Sequence, residues 1–334
     1  MFELRKDPLL GRWTITAKDD TKKLSDYDLD PFIPKDKSCT FCPGAENKTT
    51  KEIMTVKDKE TGKWLTRVIP NRIPILRIEG NINRQGVGMY DKMNGIGANE
   101  IIIESPEHTR WPEDIGASQM EKVLTTYGER IIDLEKDSRL RYVLIFKSYG
   151  EASGATMEHP HSQLIATPVT PKRIKEELDG AKNYFSIKER CIFCDIIKEE
   201  QKTGLRVVVE NKDFIAFCPF AQIFPFETWL LPKRHNCAFQ DVDDSEIASL
   251  ASILTDILNR IKSVLNNPSY NYSLHTAPNR MPRKGHWFTL MDDFHWHIEI
   301  IPKLKMVTGF ELSSGFFVIY TPPEESAEYL RGEY

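Results

Sequence analysis

Four of the six cysteines stand in two Cys-x-x-Cys pairs, Cys39/Cys42 and Cys191/Cys194, and histidines follow each pair in the same order. After the first come His108 and then His159-x-His161. After the second come His235 and then His295-x-His297. Two thiolates on one tight turn can grip a single ion, and two imidazoles complete the tetrahedral shell that zinc favours. The spacing therefore offers two ligand sets. One is Cys39, Cys42, His108 and His159. The other is Cys191, Cys194, His235 and His295, with His286 a rival to His295 for the fourth place. Zinc is expected in both, and another metal is left open for the second. Four protein ligands leave no position for water, so either ion would be structural rather than a source of metal hydroxide. Reduced structural cysteines and satisfied core histidines are the bland alternative, and the repeated order weighs against it. Cys218 and Cys237 read as small buried hydrophobes, and His275 as an ordinary strand histidine.

The segment Glu158-His159-Pro160-His161-Ser162-Gln163 carries the reactive chemistry. On a strand, alternate residues face the same way, which puts His159, His161 and Gln163 together. With His159 on a metal, His161 is held beside the ion but outside its shell. A neutral imidazole can attack phosphorus, and the resulting phosphoramidate can be discharged by a second phosphate. Gln163 could donate to a phosphoryl oxygen as charge shifts. Pro160 lacks a backbone donor, which predicts an edge strand or a bulge. The second copy aligns His295, His297 and Glu299 but has no glutamine in the matching place, so it reads as structural.

Elements that would position these residues also come in duplicate. Strand patterns occupy Trp64–Pro70, Glu100–Glu104 and Arg141–Phe146 in the first half. In the second they occupy Leu205–Val209, Phe214–Phe217, Thr228–Pro232, Tyr270–His275 and Trp296–Ile301. Helical stripes cover 117–137 and 244–265, the latter with Asp244 or Ser245 as N-cap. Residues 17–38, polar and with Pro31 and Pro34, read as an exposed loop. The 334 residues suggest one unit built twice, with halves 1–175 and 176–334. A net charge of −4 argues against a broad nucleic-acid surface. No apolar run approaches the ~20 residues a bilayer span needs. The charged start Glu3, Arg5, Lys6, Asp7 is unlike a signal peptide, and a cytoplasmic protein is expected.

At these residues the sequence resembles the galactose-1-phosphate uridylyltransferases of the histidine-triad superfamily. The likeness runs nearly end to end, through Cys39-Thr40-Phe41-Cys42-Pro43-Gly44, Pro70-Asn71-Arg72-Ile73-Pro74, Glu104-Ser105-Pro106-Glu107-His108, His159 to Gln163 and Pro232-Lys233-Arg234-His235. The resemblance implies an α+β fold, a duplicated histidine-triad-like (HIT-like) unit with two mixed or antiparallel sheets flanked by helices, and a homodimer. It implies ping-pong transfer of a uridylyl group from UDP-glucose to galactose 1-phosphate through a nucleotidyl-His161 intermediate stabilised by Gln163. Asn71 would then contact the nucleoside, and Ser148 and Thr156 the phosphates. Lys305, Phe310 and Glu311 would contact the sugar phosphate, from either subunit.

Three places depart from the family pattern. Lysines at 18, 22 and 23 stand where an arginine-rich loop is usual, without its bidentate geometry. Ser148 stands where many relatives have asparagine. Leu312-Ser313-Ser314-Gly315 replaces a sugar-binding glutamine and resembles the phosphorylase-type branch that includes ADP-glucose phosphorylases. A nucleotide-sugar phosphorylase or adenylyltransferase is therefore the second reading. A metal-stabilised nucleotide-binding module without chemistry is the third, and it gives His161 and Gln163 nothing to do.

Overall fold

Alternating and short apolar runs set up the strands, and two stripes of 3.6-residue period set up the long helices that cover them. The computed structural model describes residues 1–29, 31, 39–108, 112–282 and 287–333. The first half contains β1 (Phe2–Lys6), β2 (Trp13–Ala17), β3 (Met54–Lys57), β4 (Trp64–Pro70), β5 (Gln85–Val87), β6 (Tyr90–Lys92), β7 (Ala98–Ile103), α1 (Gly116–Glu135), β8 (Tyr142–Tyr149) and β9 (His161–Thr167). Then follow α2 (Lys172–Lys188), α3 (Ile192–Thr203), β10 (Val207–Glu210), β11 (Phe214–Phe217), β12 (Thr228–Pro232), α4 (Asp244–Val264) and β13 (Tyr270–His275). The chain ends with α5 (Leu290–Asp293), β14 (His297–Pro302), α6 (Gly309–Ser314), β15 (Phe317–Ile319) and α7 (Pro323–Arg331).

Ten strands form one antiparallel sheet in the order β10-β11-β12-β14-β13-β8-β9-β7-β4-β3. The order is palindromic. β3, β4, β7, β9 and β8 of the first unit match β10, β11, β12, β14 and β13 of the second. The duplicated α+β fold is thus observed, with its two sheets fused edge to edge. β8 pairs with β13 from Ile145/Leu274 to Tyr149/Tyr270, and this hides an edge that each unit alone would expose. Gly150 follows β8 with φ +78°, and a Cβ there would collide with Ser269 across the joint. A smaller sheet, β1-β2-β15, ties the amino terminus to the carboxy-terminal region, with β2 and β15 parallel.

Helices α1 and α4 lie on one face of the large sheet. They bury Val123, Leu124, Tyr127 and Ile131 of one, and Leu250, Leu254, Ile257 and Ile261 of the other, in a shared core. The N-cap of α4 is Asp243, one or two residues earlier than the sequence suggests. Its Oδ1 accepts from Ser245 N and Glu246 N, both at 2.9 Å, and Glu246 returns a bond to Asp243 N at 3.2 Å. That reciprocal pair is a capping box. Within the expected loop 17–38, Leu24–Asp26 makes a 3₁₀ turn and Tyr27 is buried; residues 30 and 32–38 lie outside the described residues.

The opposite face of the sheet breaks the symmetry. In the second unit α2 and α3 cover it, packing Ile174, Leu178, Phe193 and Ile197 against Phe217, Trp229 and Leu231. In the first unit that face carries only a small cluster around Phe41, Ile69 and Ile103. Among the described residues a long covering helix thus exists over one copy of the His-x-His strand and not over the other.

Candidate active site and metal centres

His161 opens β9, whose pairing with β7 (Ile103/His161, Ile101/Gln163) and with β8 (Phe146/Gln163) makes it a central strand. The edge or bulge expected from Pro160 is therefore corrected. Pro160 precedes the strand, where its missing N–H leaves no ladder bond unmade, and its carbonyl accepts from Glu104 N at 3.0 Å. His159 also precedes the strand, so its ring is placed by its ligand partners rather than by strand alternation. His161 and Gln163 do share a face, with Ile101, Ile103 and Phe146 beside them and Ser148 two residues further along β8.

The His161 ring is buried and packs edge-on to Phe41 at 5.8 Å. Its Nδ1 lies 2.8 Å from the carbonyl oxygen of His159. A carbonyl only accepts, so Nδ1 carries the proton and Nε2 keeps its lone pair. Burial, and then the nearby Lys147 ammonium, push the imidazole pKa below its usual value, which keeps the ring neutral. Behind the strand, on its other face, Lys147 bonds the Glu104 carboxylate and reaches the His161 carbonyl at 3.3 Å. Ser162 and Tyr127 donate to Glu104, and Tyr127 meets Tyr272 at 2.8 Å. This buried polar cluster had no signal in the sequence, because Glu104 just after β7, Lys147 of β8 and Tyr272 of β13 lie far apart in the chain.

Cys39, Cys42, His108 and His159 converge. The His159 Nδ1 lies 3.5 Å from Cys39 Sγ and 3.7 Å from Cys42 Sγ, and the His108 Nδ1 lies 3.4 Å from Cys42 Sγ. Metal bonds of ~2.3 Å to sulfur and ~2.05 Å to nitrogen, set tetrahedrally, give S···N edges of about 3.6 Å. The four groups therefore fit such an ion. The His159 Nε2–H donates to Ser105 O at 2.8 Å, which turns Nδ1 toward the thiols, and burial pushes this imidazole down to about 4, so it too is neutral.

The second set repeats the geometry. Cys194 Sγ lies 3.4 Å from His235 Nδ1 and 3.6 Å from His295 Nδ1, while the two Nε2 atoms face Met291 O at 2.9 Å and Pro232 O at 2.8 Å. Cys191 completes the group. Among the described residues His295 is the fourth member of this group, and its rival His286 lies outside them.

A third group went unrecognised in the sequence. Glu177, His275, His297 and Glu299 bring four ligand atoms within 4.8 Å of one another, all buried. His275, read as an ordinary strand histidine, bonds Glu177 at 3.0 Å through Nδ1 and Ser273 at 3.0 Å through Nε2. His297 matches His161 in register and also turns its Nδ1 to the carbonyl two residues back, at 3.1 Å. Its ring is sealed between Trp229 and Phe193, each 5.2 Å away, and its exposure is 0%. Glu177 comes from α2, and no local motif announces that this helix folds over β13 and β14.

The remaining candidates scatter. Asn71, half-buried, follows β4; its N–H donates to Asn99 O at 2.8 Å and its Oδ1 accepts from Ile73 N at 3.1 Å. Ser148 accepts from Asn271 Nδ2 at 2.8 Å, and Thr156 is exposed in the loop before β9. Lys305 and Glu311 form a salt bridge by α6. Glu311 also accepts from Thr308 N at 2.8 Å and Val318 N at 3.0 Å, while Phe310 is exposed. Among the described residues no hydrogen bond joins Lys305, Phe310 or Glu311 to β9.

Comparison with known proteins fits this arrangement of two similar units. Residues 2–171 match the N-terminal domain of galactose-1-phosphate uridyl transferase, and residues 177–324 match its C-terminal domain. The chain belongs to the galactose-1-phosphate uridyl transferase family. An ADP-glucose phosphorylase of Arabidopsis thaliana is 34% identical, over 98% of this chain and 92% of that protein. A galactose-1-phosphate uridylyltransferase of Thermotoga maritima is 26% identical, over 99% and 98%. A solved ADP-glucose phosphorylase from Arabidopsis thaliana with bound ADP-glucose superposes with a TM-score of 0.84 at 33% identity, covering 99% of each chain. A solved uridylyltransferase gives 0.76 at 29% identity, covering 100% and 98%.

Proposed function

We propose that this protein is a nucleotidyltransferase that moves a uridylyl group from UDP-glucose to galactose 1-phosphate or a related hexose 1-phosphate, through a covalent nucleotidyl-His161 intermediate. The observation that carries the reading is the His161 ring, neutral, with Nδ1 tied to the His159 carbonyl at 2.8 Å and Nε2 left free.

The Nε2 lone pair attacks the α-phosphorus. An N–P bond forms, the P–O bond to the leaving sugar phosphate breaks, and its electrons depart with glucose 1-phosphate. Positive charge that builds on the ring spreads to Nδ1–H, where the His159 carbonyl receives it. In the second half-reaction a phosphate oxygen of the acceptor attacks the same phosphorus and the N–P electrons return to Nε2. No proton need leave the ring in either step. The Gln163 amide, on the same face, donates to the phosphoryl oxygens as they gain charge. Asn71 holds the nucleoside and Ser148 and Thr156 the phosphates.

Zinc is the ion proposed for both Cys₂His₂ sets, which would supply structural cross-links. Cys39, Cys42, His108 and His159 would hold the first and Cys191, Cys194, His235 and His295 the second. His159 then has two duties: its ring is anchored among the thiols, and its carbonyl sets the tautomer of His161. Six free thiols, four of them in ligand sets, suit a reducing compartment, and a cytoplasmic location is part of the proposal. No helix among the described residues is long and apolar enough to cross a membrane.

The chain divides into a half carrying the nucleophile, 1–175, and a second half, 176–334, with α2 across the division. A homodimer in which Lys305, Phe310 and Glu311 serve the partner's sugar phosphate is also proposed. Support comes from the exposed apolar side chains around them, Met306 at 89% and Leu312 at 82%. The 34% identical Arabidopsis relative favours a second reading, an ADP-glucose phosphorylase-like nucleotide-sugar phosphorylase or adenylyltransferase with the same His161 chemistry.

Incubation with UDP-glucose or ADP-glucose, followed by intact-mass measurement, tests both. A UMP adduct supports the first reading and an AMP adduct the second. His161→Ala should abolish either adduct while leaving fold and metal content in place; transfer activity surviving in that variant would refute the mechanism.

A further inference from the structure

The chain enters β9 at His161 with a strand partner on one side only. Pairing with β7 runs as far as Ile103/His161, whereas pairing with β8 ends at Phe146/Gln163. The nucleophile therefore lies two residues beyond the last ladder contact with β8. Strand ends open more readily than strand centres. An imidazole that must present one nitrogen to phosphorus is sensitive to that freedom, since a misplacement of ~1 Å can cost about 100-fold in rate.

Side chains stand in for the missing ladder. Pro160 O accepts from Glu104 N at 3.0 Å, on the β7 side. The next carbonyl, that of His161, is reached by Lys147 Nζ at 3.3 Å, from β8. Ser162 then donates its hydroxyl to the Glu104 carboxylate, which also holds Lys147. All three side chains are buried, so water does not compete for these bonds. His159 is fixed separately, by its ring contact to Ser105 O at 2.8 Å. Residues 159–162 are thus gripped one after another. Only the His161 ring is left to be set, and its Nδ1 closes on the His159 carbonyl at 2.8 Å.

The pairing of Lys147 with Glu104 also suits the chemistry. A lone ammonium behind the strand would oppose the positive charge that builds on the ring during attack. The Glu104 carboxylate beside it acts on the ring in the opposite sense. The clamp can therefore hold the His161 carbonyl with a cation and leave little net charge behind the nucleophile.

We propose that Glu104, Lys147 and Ser162 are positioning residues for the nucleophile, a buried clamp that replaces the absent β8 ladder and holds the His161 ring on the His159 carbonyl with Nε2 free. The consequence for rate rests on the His161 chemistry proposed above; the effect on the ring does not. A buried ion pair can also serve stability alone, and the two roles separate in the double variant Glu104→Leu/Lys147→Met. It carries no uncompensated charge, so it should stay near wild-type stability. It nevertheless lacks the side-chain contacts to residues 161 and 162.

The test compares metal-loaded wild type, Ser162→Ala and the double variant. Rapid quenching measures formation of the nucleotidyl-His161 adduct over a range of UDP-glucose or ADP-glucose concentrations, whichever labels the wild type. The rate at saturation should fall about tenfold or more in both variants. The half-saturating concentration should stay within about twofold, because the groups assigned to the nucleoside and phosphates are untouched. Nitrogen-15 NMR reads the ring directly, the His161 signals being those that vanish in His161→Ala. Wild type should carry its proton on Nδ1 alone, and both variants should show a mixture of the two tautomers. A wild-type rate at saturation in either variant overturns the clamp, as does a loss confined to the half-saturating concentration. Slowed variants whose rings stay wholly in the Nδ1–H form overturn it too. If wild type forms no adduct, the transferase reading fails, while the tautomer comparison still decides the clamp.

Discussion

The ion pair behind the nucleophile's strand offers a sharp test of how the site is held. Lys147 and Glu104 are 2% and 0% exposed. Lys147→Met removes the cation and leaves the Glu104 carboxylate buried among donors that are only hydroxyls, from Ser162 and from Tyr127 at 3.2 Å. Breaking a buried pair from one side costs ~3–5 kcal/mol. The two remaining hydroxyl donors place this case near the lower end, about 3 kcal/mol. At about 2 °C per kcal/mol for a long chain, the Tm falls by about 6 °C. Glu104→Leu combined with Lys147→Met removes both charges and leaves Tyr127 bonded to Ser162 and, at 2.8 Å, to Tyr272. That double variant should recover to within about 1 kcal/mol of wild type, since no charge is left uncompensated. Urea unfolding followed by circular dichroism, at one fixed metal content, measures all three proteins. A single variant less than about 1 kcal/mol down, or a double variant no better than the single, would show that the pair does not act as argued.

Three further outcomes follow from other parts of the molecule. Cys42→Ser and Cys194→Ser should each lose about one metal equivalent per chain by elemental analysis and melt lower, because each ion joins segments distant in sequence; unchanged metal content in either would reject that ligand set. Glu311 is held well below the ordinary carboxylate range, at about 2: burial raises it, but Lys305 and the N–H groups of Thr308 and Val318 outweigh that. The stability it contributes is therefore present above the unfolded value near 4.5 and is lost as pH falls toward 2. Glu311→Gln should flatten the dependence of the urea midpoint on pH in that window, and an unaltered slope would contradict the assignment. Asp243→Ala removes the α4 cap and should cost about 1 kcal/mol in the same unfolding assay.

Local chemistry made parts of this protein legible without coordinates. Cys-x-x-Cys turns and His-x-His strand entries carry their ligand geometry in their spacing. The same order occurs twice, so the first Cys₂His₂ group could be named residue by residue and the second up to the choice between His295 and His286. The helical stripes of α1 and α4 were equally plain, because each buries one continuous face. Pro160 misled, since a missing donor looks alike inside a strand and just before one; only the pairing of β9 with both β7 and β8 tells them apart.

What the sequence alone determined was the duplication, the candidate ligand groups but for one histidine, and the candidate nucleophile, because each is written in residue type and short spacing. Tertiary structure decided which copy stays open. It laid α2 and α3 over the second unit, sealed His297 between Trp229 and Phe193, gathered Glu177, His275 and Glu299 around it, and fused the two sheets through β8 and β13. Those outcomes depend on packing between segments far apart in the chain, and such packing is settled by total buried surface and shape, which no short stretch of residues records.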